Sequence, residues 1–233
     1  MSHPASGTGG GFDLIEAELA AVATETVRVA SGVTLVGPGM PARLVLLQEG
    51  WAIRTRAVGD SARQVLDILL PGDAAGIDTV LHGTTRHCIE SVTAATVRRS
   101  PPLTAADLAA DPVLALSVQR RLALRAERAE TFLANIGRRD ALERMSWLML
   151  DVLTRMEERA LCRGGWCPFP LQRAHLADAL GLSVTHVSRT LQELEGRGLV
   201  QLGGGFLSVL DRAGLQAVCG YEAPVSARVA VAA

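Results

Sequence analysis

Between Val113 and Ile136 the chain contains neither glycine nor proline, and this run separates two halves with different hydrophobic patterns. Asp111-Pro112 in front of it reads as an N-cap followed by the first helical residue, and Gly137 ends it. Inside the run Val118, Leu122, Ala126, Ala129, Phe132 and Ile136 recur three or four apart against an Arg- and Glu-rich remainder, which predicts a long helix with one apolar stripe. Such a stripe packs either on the chain's own domain or on a copy of itself. Both uses are open at this point.

Upstream, Arg43–Leu47, Trp51–Val58, Arg63–Leu70 and Ile89–Val97 are short runs punctuated by Glu49-Gly50, Gly59-Asp60 and Pro71-Gly72-Asp73. That punctuation predicts antiparallel strands and tight turns, so residues 24 to 100 are expected to form a small β barrel or sandwich. A short helix is expected over Leu14–Val22, and the first residues, MSHPASGTGGG, read as a flexible tail. Thr104-x-x-Asp107 can form a capping box ahead of the long helix.

Downstream the period stays helical. Ala141 to Arg159 places Leu142, Met145, Leu148, Val152 and Met156 inward, and CRGGWCPFP follows as a loop. A short helix from Gln172 to Leu180 is ended by Gly181, and Ser183 caps a second helix with Val187, Leu191 and Leu194 inward. Two short helices across such a turn form a helix-turn-helix unit. The second helix turns Val184, Thr185, Ser188, Arg189 and Gln192 outward. In this motif that face enters the DNA major groove, where Arg reads guanine and Val or Thr meets a thymine methyl; plain helix packing is the alternative. Leu199–Leu202 and Phe206–Leu210 flank Gly203-Gly204-Gly205 as a hairpin, a wing whose tip carries no Arg.

Composition limits what the rest can do. A net charge of −1 gives no whole-molecule attraction to a polyanion, so nucleic-acid binding has to come from a local patch. All 23 basic residues are Arg. No apolar run approaches a membrane span and no secretion signal opens the chain, so a cytoplasmic location without membrane contact is expected. Cys88, Cys162, Cys167 and Cys219 are few and irregularly spaced, which suits reduced thiols better than a disulfide frame. No nucleophile elbow, phosphate loop or paired metal-ligand helix is present, and no catalytic residue or metal ligand is assigned.

The stretch HLADALGLSVTHVSRTLQELEGRGLV, with the three-glycine hairpin and LDRAGL, resembles the DNA-binding domain of the Crp/Fnr superfamily of bacterial transcription regulators. LLPGDAAGIDTVLHGTTRHCIESVTAATV resembles that superfamily's effector domain, and CPFPLQRAHLADALGLS with RTLQEL is similar to its alphaproteobacterial nitrogen-fixation and anaerobic branch. The resemblance covers about residues 13 to 220. It implies an α+β architecture: a tail over 1–12, a jelly-roll, cyclic-nucleotide-binding-like sensor domain over 13–110, a dimerisation helix over 111–137, a winged helix-turn-helix over 138–220 and a second tail over 221–233.

By the same resemblance the long helix joins a homodimer through the six stripe residues, and the dimer binds a palindromic operator in double-stranded DNA, with RNA polymerase as a further partner. Arg189 lies at the family's base-reading arginine and Ser188 at a position that contacts the operator. Thr185 stands where many members carry Glu, so the usual TGA-type half-site is not implied. Gln172 and Arg173 are expected on phosphate. In the effector region Gly76, Asp78, Arg86, His87 and Cys88 stand near the positions with which cyclic-nucleotide-binding members hold ribose and phosphate; the effector itself is unknown. No cysteine precedes Cys88, which speaks against the family's [4Fe–4S] centre. His82, His87 or Cys88 are the residues that could ligate haem iron, and no cofactor is assigned. Cys162 and Cys167 are candidates for redox control beside the DNA-binding unit. The alternative to DNA regulation is a small-molecule or redox sensor acting mainly through protein partners.

Overall fold

The computed structural model describes residues 21–60, 62–163 and 165–221. The tail expected over 1–12, most of the helix expected over Leu14–Val22, and all but Tyr221 of the tail expected over 221–233 lie outside the described residues.

Two four-stranded antiparallel sheets build the first half. One runs in the order β1 (Glu25–Val29), β8 (Ala95–Arg99), β3 (Val45–Glu49), β6 (Ala74–Ala75); the other runs β2 (Thr34–Val36), β7 (Cys88–Ser91), β4 (Ala52–Val58), β5 (Ala62–Leu69). Alternation along the strands sends Leu35, Val45, Leu47, Ala52, Leu69, Ile89 and Val97 into one buried layer between them. The run Ile89–Val97, expected as one strand, is two. Its middle turns a corner from one sheet to the other: Ser91 Oγ donates to the Ala30 carbonyl at 2.7 Å, and Trp51 N donates to Thr93 Oγ1 at 3.0 Å. Hydroxyls there satisfy backbone groups that a continued ladder would otherwise take up.

A short helix, α1 (Ile77–His82), interrupts the roll after Gly76, which has φ 82° and lies so close to the Arg43 carbonyl that a side chain would collide with it. Helix α2 (Ala105–Ala110) starts at the expected capping box, in which Thr104 N donates to Asp107 Oδ2 at 2.7 Å. Helix α3 (Pro112–Arg138) is the long helix, with Asp111 Oδ1 accepting from Val113 N and Leu114 N at 3.1 and 3.0 Å. Helix α4 (Ala141–Glu158) follows after a second capping box at Asp140 and buries Met145, Leu148, Met149, Val152 and Met156. Each such side chain contributes about 2 kcal/mol of burial.

The last third holds α5 (Arg173–Leu180), α6 (Val184–Gly196), a three-stranded sheet β10 (Val200–Gly203), β11 (Phe206–Val209), β9 (Trp166–Pro168), and α7 (Arg212–Cys219). The CRGGWCPFP stretch, expected as a loop, therefore supplies a strand. Arg163 and Trp166 pair across a tight turn, and Cys162 and Cys167, expected as reduced thiols, are joined in a disulfide with Cα atoms 4.4 Å apart. Counting spacings misses this because the turn, not the interval, sets which residues face each other.

The long stripe is used differently from the expectation. Val118 is 2% exposed and packs with Leu44, Ile77, Val80, Leu108 and Leu114, with Leu122 against the same cluster. Phe132 meets Trp147 edge to face at 6.2 Å between ring centres, while Ala129 and Ile136 line a cavity of about 440 Å³ between β5, α3 and α4. Of the six, only the two alanines, Ala126 and Ala129, are exposed. An apolar stripe reports burial without saying whose surface covers it. A second stripe of this helix, Leu116, Ala123, Ala126 and Leu133, is exposed, with Leu133 at 70%.

Candidate nucleic-acid interface

The helix pair is set by residues that allow one geometry. Leu176, Ala177, Leu180, Val187, Leu191 and Leu194 are buried between α5 and α6 and against α4. Gly181 takes the left-handed conformation at φ 64° that closes α5, its N–H returning to the Ala177 carbonyl. Ser183 Oγ then accepts from His186 N at 3.2 Å and starts α6.

With the apolar side turned inward, Val184, Thr185, Arg189 and Gln192 are exposed and Ser188 is half-buried, so all five expected base-side residues share the outer face of α6. Ser188 Oγ donates back to the Val184 carbonyl at 3.0 Å, which leaves its lone pairs outward. The Arg189 guanidinium makes no hydrogen bond or ion pair among the described residues, in contrast to Arg197 at the far end of the helix, which pairs with Glu193. An exposed cation with free donors is what a guanine edge or phosphate requires. His186, exposed in the first turn of α6, also lies on this end and was not singled out from the sequence.

Gln172 and Arg173 sit elsewhere. Gln172 is the N-cap of α5, its N–H donating to His175 Nδ1 at 3.2 Å, and both residues line a groove with Leu202, Gly203, Gly205 and Phe206 of the wing. Burial, then the nearby Arg63, lowers the His175 pKa and keeps the ring available as an acceptor. The wing hairpin turns at Gly204-Gly205, with Phe206 exposed beside it. The surface thus has two parts, the α6 face and the α5 end against the wing.

The β-roll is joined directly to this unit. Arg63 Nε of β5 donates to Asp178 Oδ2 of α5 at 2.8 Å, and Gln64 Nε2 donates to the Ala179 carbonyl at 2.9 Å. The β4–β5 hairpin therefore rests on the first helix of the pair.

The expected effector residues are only partly brought together. Asp78 Oδ2 accepts from Thr85 Oγ1 at 2.6 Å and lies 3.2 Å from His87 Nδ1, with Arg125 at 3.7 Å. Burial raises the Asp78 pKa, but the bonds from Thr85 and His87 outweigh it and the net shift is downward. Burial and the adjacent Arg54 hold His87 below its ordinary value. Arg86, in contrast, is exposed and has no partner among the described residues, Gly76 serves the backbone turn, and Cys88 lies 3.7 Å from Thr34 Oγ1. Arg54 and Arg125, which complete the cluster from β4 and α3, carry no signal in the sequence that could have found them. Among the described residues no three His, Cys, Asp or Glu side chains gather to hold a metal, and no helix is long and apolar enough to cross a membrane.

A β-roll with a long helix leading into a helix-turn-helix and wing is an architecture of the winged-helix class. Residues 143–218 match the model of the Crp-like helix-turn-helix domain. The chain is 30% identical over 148 residues to the nitrogen fixation regulation protein FixK of Azorhizobium caulinodans, 63% of this chain and 59% of that protein. To the protein of the same name in Bradyrhizobium diazoefficiens it is 29% identical over 163 residues, 68% of this chain and 66% of that protein. The chain thus spans less than two thirds, or about two thirds, of the length of these curated relatives. The structure of FixK2 from Bradyrhizobium japonicum has a TM-score of 0.72 at 24% identity, covering 85% of this chain and 98% of that one. A CRP-family transcriptional regulator of Thermus thermophilus gives 0.68 at 24% identity over 84% and 97%. These structural likenesses carry the fold.

Proposed function

We propose that the chain is a cytoplasmic, non-catalytic transcription regulator that binds an imperfect palindrome in double-stranded DNA as a homodimer. The observation that carries the reading is the α6 face, where Arg189 stands exposed and unpaired among Val184, Thr185, Ser188 and Gln192. Each subunit places α6 in one major groove, with half-sites one helical turn apart, and Gln172 and Arg173 touch phosphate beside the wing. The sensor, dimerisation and DNA-binding regions follow the division at residues 110 and 137.

The dimer seam is the exposed stripe Leu116, Ala123, Ala126 and Leu133, whose intervals of seven, three and seven residues follow a heptad. An effector acts from the Asp78 cluster and the neighbouring cavity by binding the DNA-competent arrangement more tightly than the other. RNA polymerase is the further partner of the DNA-bound dimer. Selection of bound duplexes from a random pool tests the reading; a two-fold symmetric consensus is expected, and absence of any preference at moderate salt, with and without cell extract, overturns it. Leu133→Asp is expected to shift the sedimenting species from dimer to monomer.

A further inference from the structure

We propose that Cys162 and Cys167 form a reversible oxidative modification site that clamps the third strand of the wing sheet; its consequence for operator affinity rests on the DNA-binding reading above. Arg163 and Trp166 exchange both backbone bonds, at 2.9 and 3.0 Å, so they are a hydrogen-bonded antiparallel pair. The next pair outward, Cys162 and Cys167, is then a non-hydrogen-bonded pair, in which Cα atoms approach to about 4.5 Å and side chains lie closest. Their separation is 4.4 Å. The backbone itself brings the two sulfurs together.

The bond joins the segment after α4 to the third strand of the wing sheet. Cys162 follows the end of α4, where Leu161 N donates to the Met156 carbonyl at 2.9 Å. Cys167 is buried at 2% exposure and faces Leu207 of β11, while Phe169 N donates to the Gly205 carbonyl at 2.6 Å at the wing turn. The disulfide therefore fixes β9, and through it the wing, to the body of the domain. In the dithiol form β9 keeps its short ladder to β11, the Arg163–Trp166 pair and the burial of Cys167, and loses only the covalent tie. Cys162 is half-buried beside exposed Arg163, so it is the sulfur a reagent reaches first.

The chemistry is exchange with a small-molecule disulfide of the glutathione type. The Cys162 thiolate attacks one reagent sulfur and expels the first reagent thiolate, leaving a mixed disulfide. The Cys167 thiolate then attacks the Cys162 sulfur and expels the second. The protein loses two electrons and two protons, and the reagent disulfide becomes two thiols. Cys219 is buried, donating to the Leu215 carbonyl at 3.4 Å, and Cys88 lies in the other domain, so neither competes for this pairing.

The test uses the full chain equilibrated with oxidised or reduced glutathione, read three ways. Alkylation after denaturation is expected to fall from four thiols to two on oxidation without added glutathione mass. Amide exchange at Cys167 and Leu207 is expected to slow, and operator affinity to rise roughly three- to tenfold, the equivalent of about one net backbone hydrogen bond. Cys162→Ser is expected to keep the reduced-state affinity under both conditions. Four free thiols after oxidation, or exchange and affinity identical in both forms, overturn the proposal. Slower exchange with no operator binding in either form supports the clamp and overturns the DNA-binding reading instead.

Discussion

Two sets of arginines divide the labour of this chain. At the junction of roll and helices, Asp73 is 5% exposed and receives Arg155 at 3.0 Å, Arg159 at 2.8 Å and Arg128 at 3.6 Å. Arg155 also donates to the Ile68 carbonyl and Arg159 to the Pro71 carbonyl, both at 2.7 Å, and Arg128 reaches Asp67 at 2.8 Å. On α6, Arg189 is exposed and has no partner among the described residues. The same side chain ties the roll to the helices where its guanidinium is engaged by carboxylates and carbonyls, although the Nε of Arg128 and of Arg155 stays unbonded among the described residues. It is free to recognise a ligand where it has no such partner. With no lysine in the chain, residue type cannot separate the two uses; only pairing can.

The largest effect should come from the paired set. Burial raises the Asp73 pKa, but Arg159, Arg128 and Arg155 together overcome this and hold it far below the usual carboxylate range. A depressed acid stabilises the fold above its unfolded value, and that contribution disappears as pH falls through the folded one. Asp73→Asn leaves three guanidiniums without their shared carboxylate and is expected to cost about 3–5 kcal/mol in urea unfolding at neutral pH, with the difference from wild type narrowing in acid. A cost below about 1 kcal/mol would mean that this cluster is not what joins the domains.

The unpaired set is expected to give a smaller effect of another kind. Arg189→Ala should leave the unfolding midpoint unchanged and weaken the selected operator by about 1–3 kcal/mol, relaxing preference at one base of each half-site. Smaller again, Arg173→Ala should weaken all duplexes alike and lower the salt slope by about 1 per contact. If Arg173 proved base-selective and Arg189 did not, the assignment of reading to α6 would be wrong.

How much of this was legible in advance depended on whether a property is local. The helix pair, its caps at Gly181 and Ser183, the wing and the outer face of α6 follow from short-range spacing, and the likeness to Crp-like domains covers that same stretch. The covering of Val118 and Phe132 by their own chain did not follow, because periodicity marks an apolar face and is silent on its neighbour. Neither did Arg54 and Arg125 beside Asp78, nor the Cys162–Cys167 bond. Each is a meeting of residues brought together by a sheet corner, a helix crossing or a turn, and nothing in their intervals distinguishes them.

The finest test lies inside the buried cluster itself. Asp151 is buried like Asp73, yet its pKa is raised: burial is the largest cause, and Arg155 at 3.4 Å with Arg128 beyond it only partly offset this. An acid with a raised folded value favours the folded state while protonated, and that advantage is lost as pH climbs through the folded value, opposite in sign to Asp73. Asp151→Asn removes a poorly compensated charge and leaves Arg155 its bond to Asp73. Its unfolding free energy should stay within about 1 kcal/mol of wild type at neutral pH and fall below wild type only in acid. Should Asp151→Asn cost as much as Asp73→Asn at neutral pH, the two carboxylates act as one unit, and the separation drawn between filled and strained members of the cluster fails.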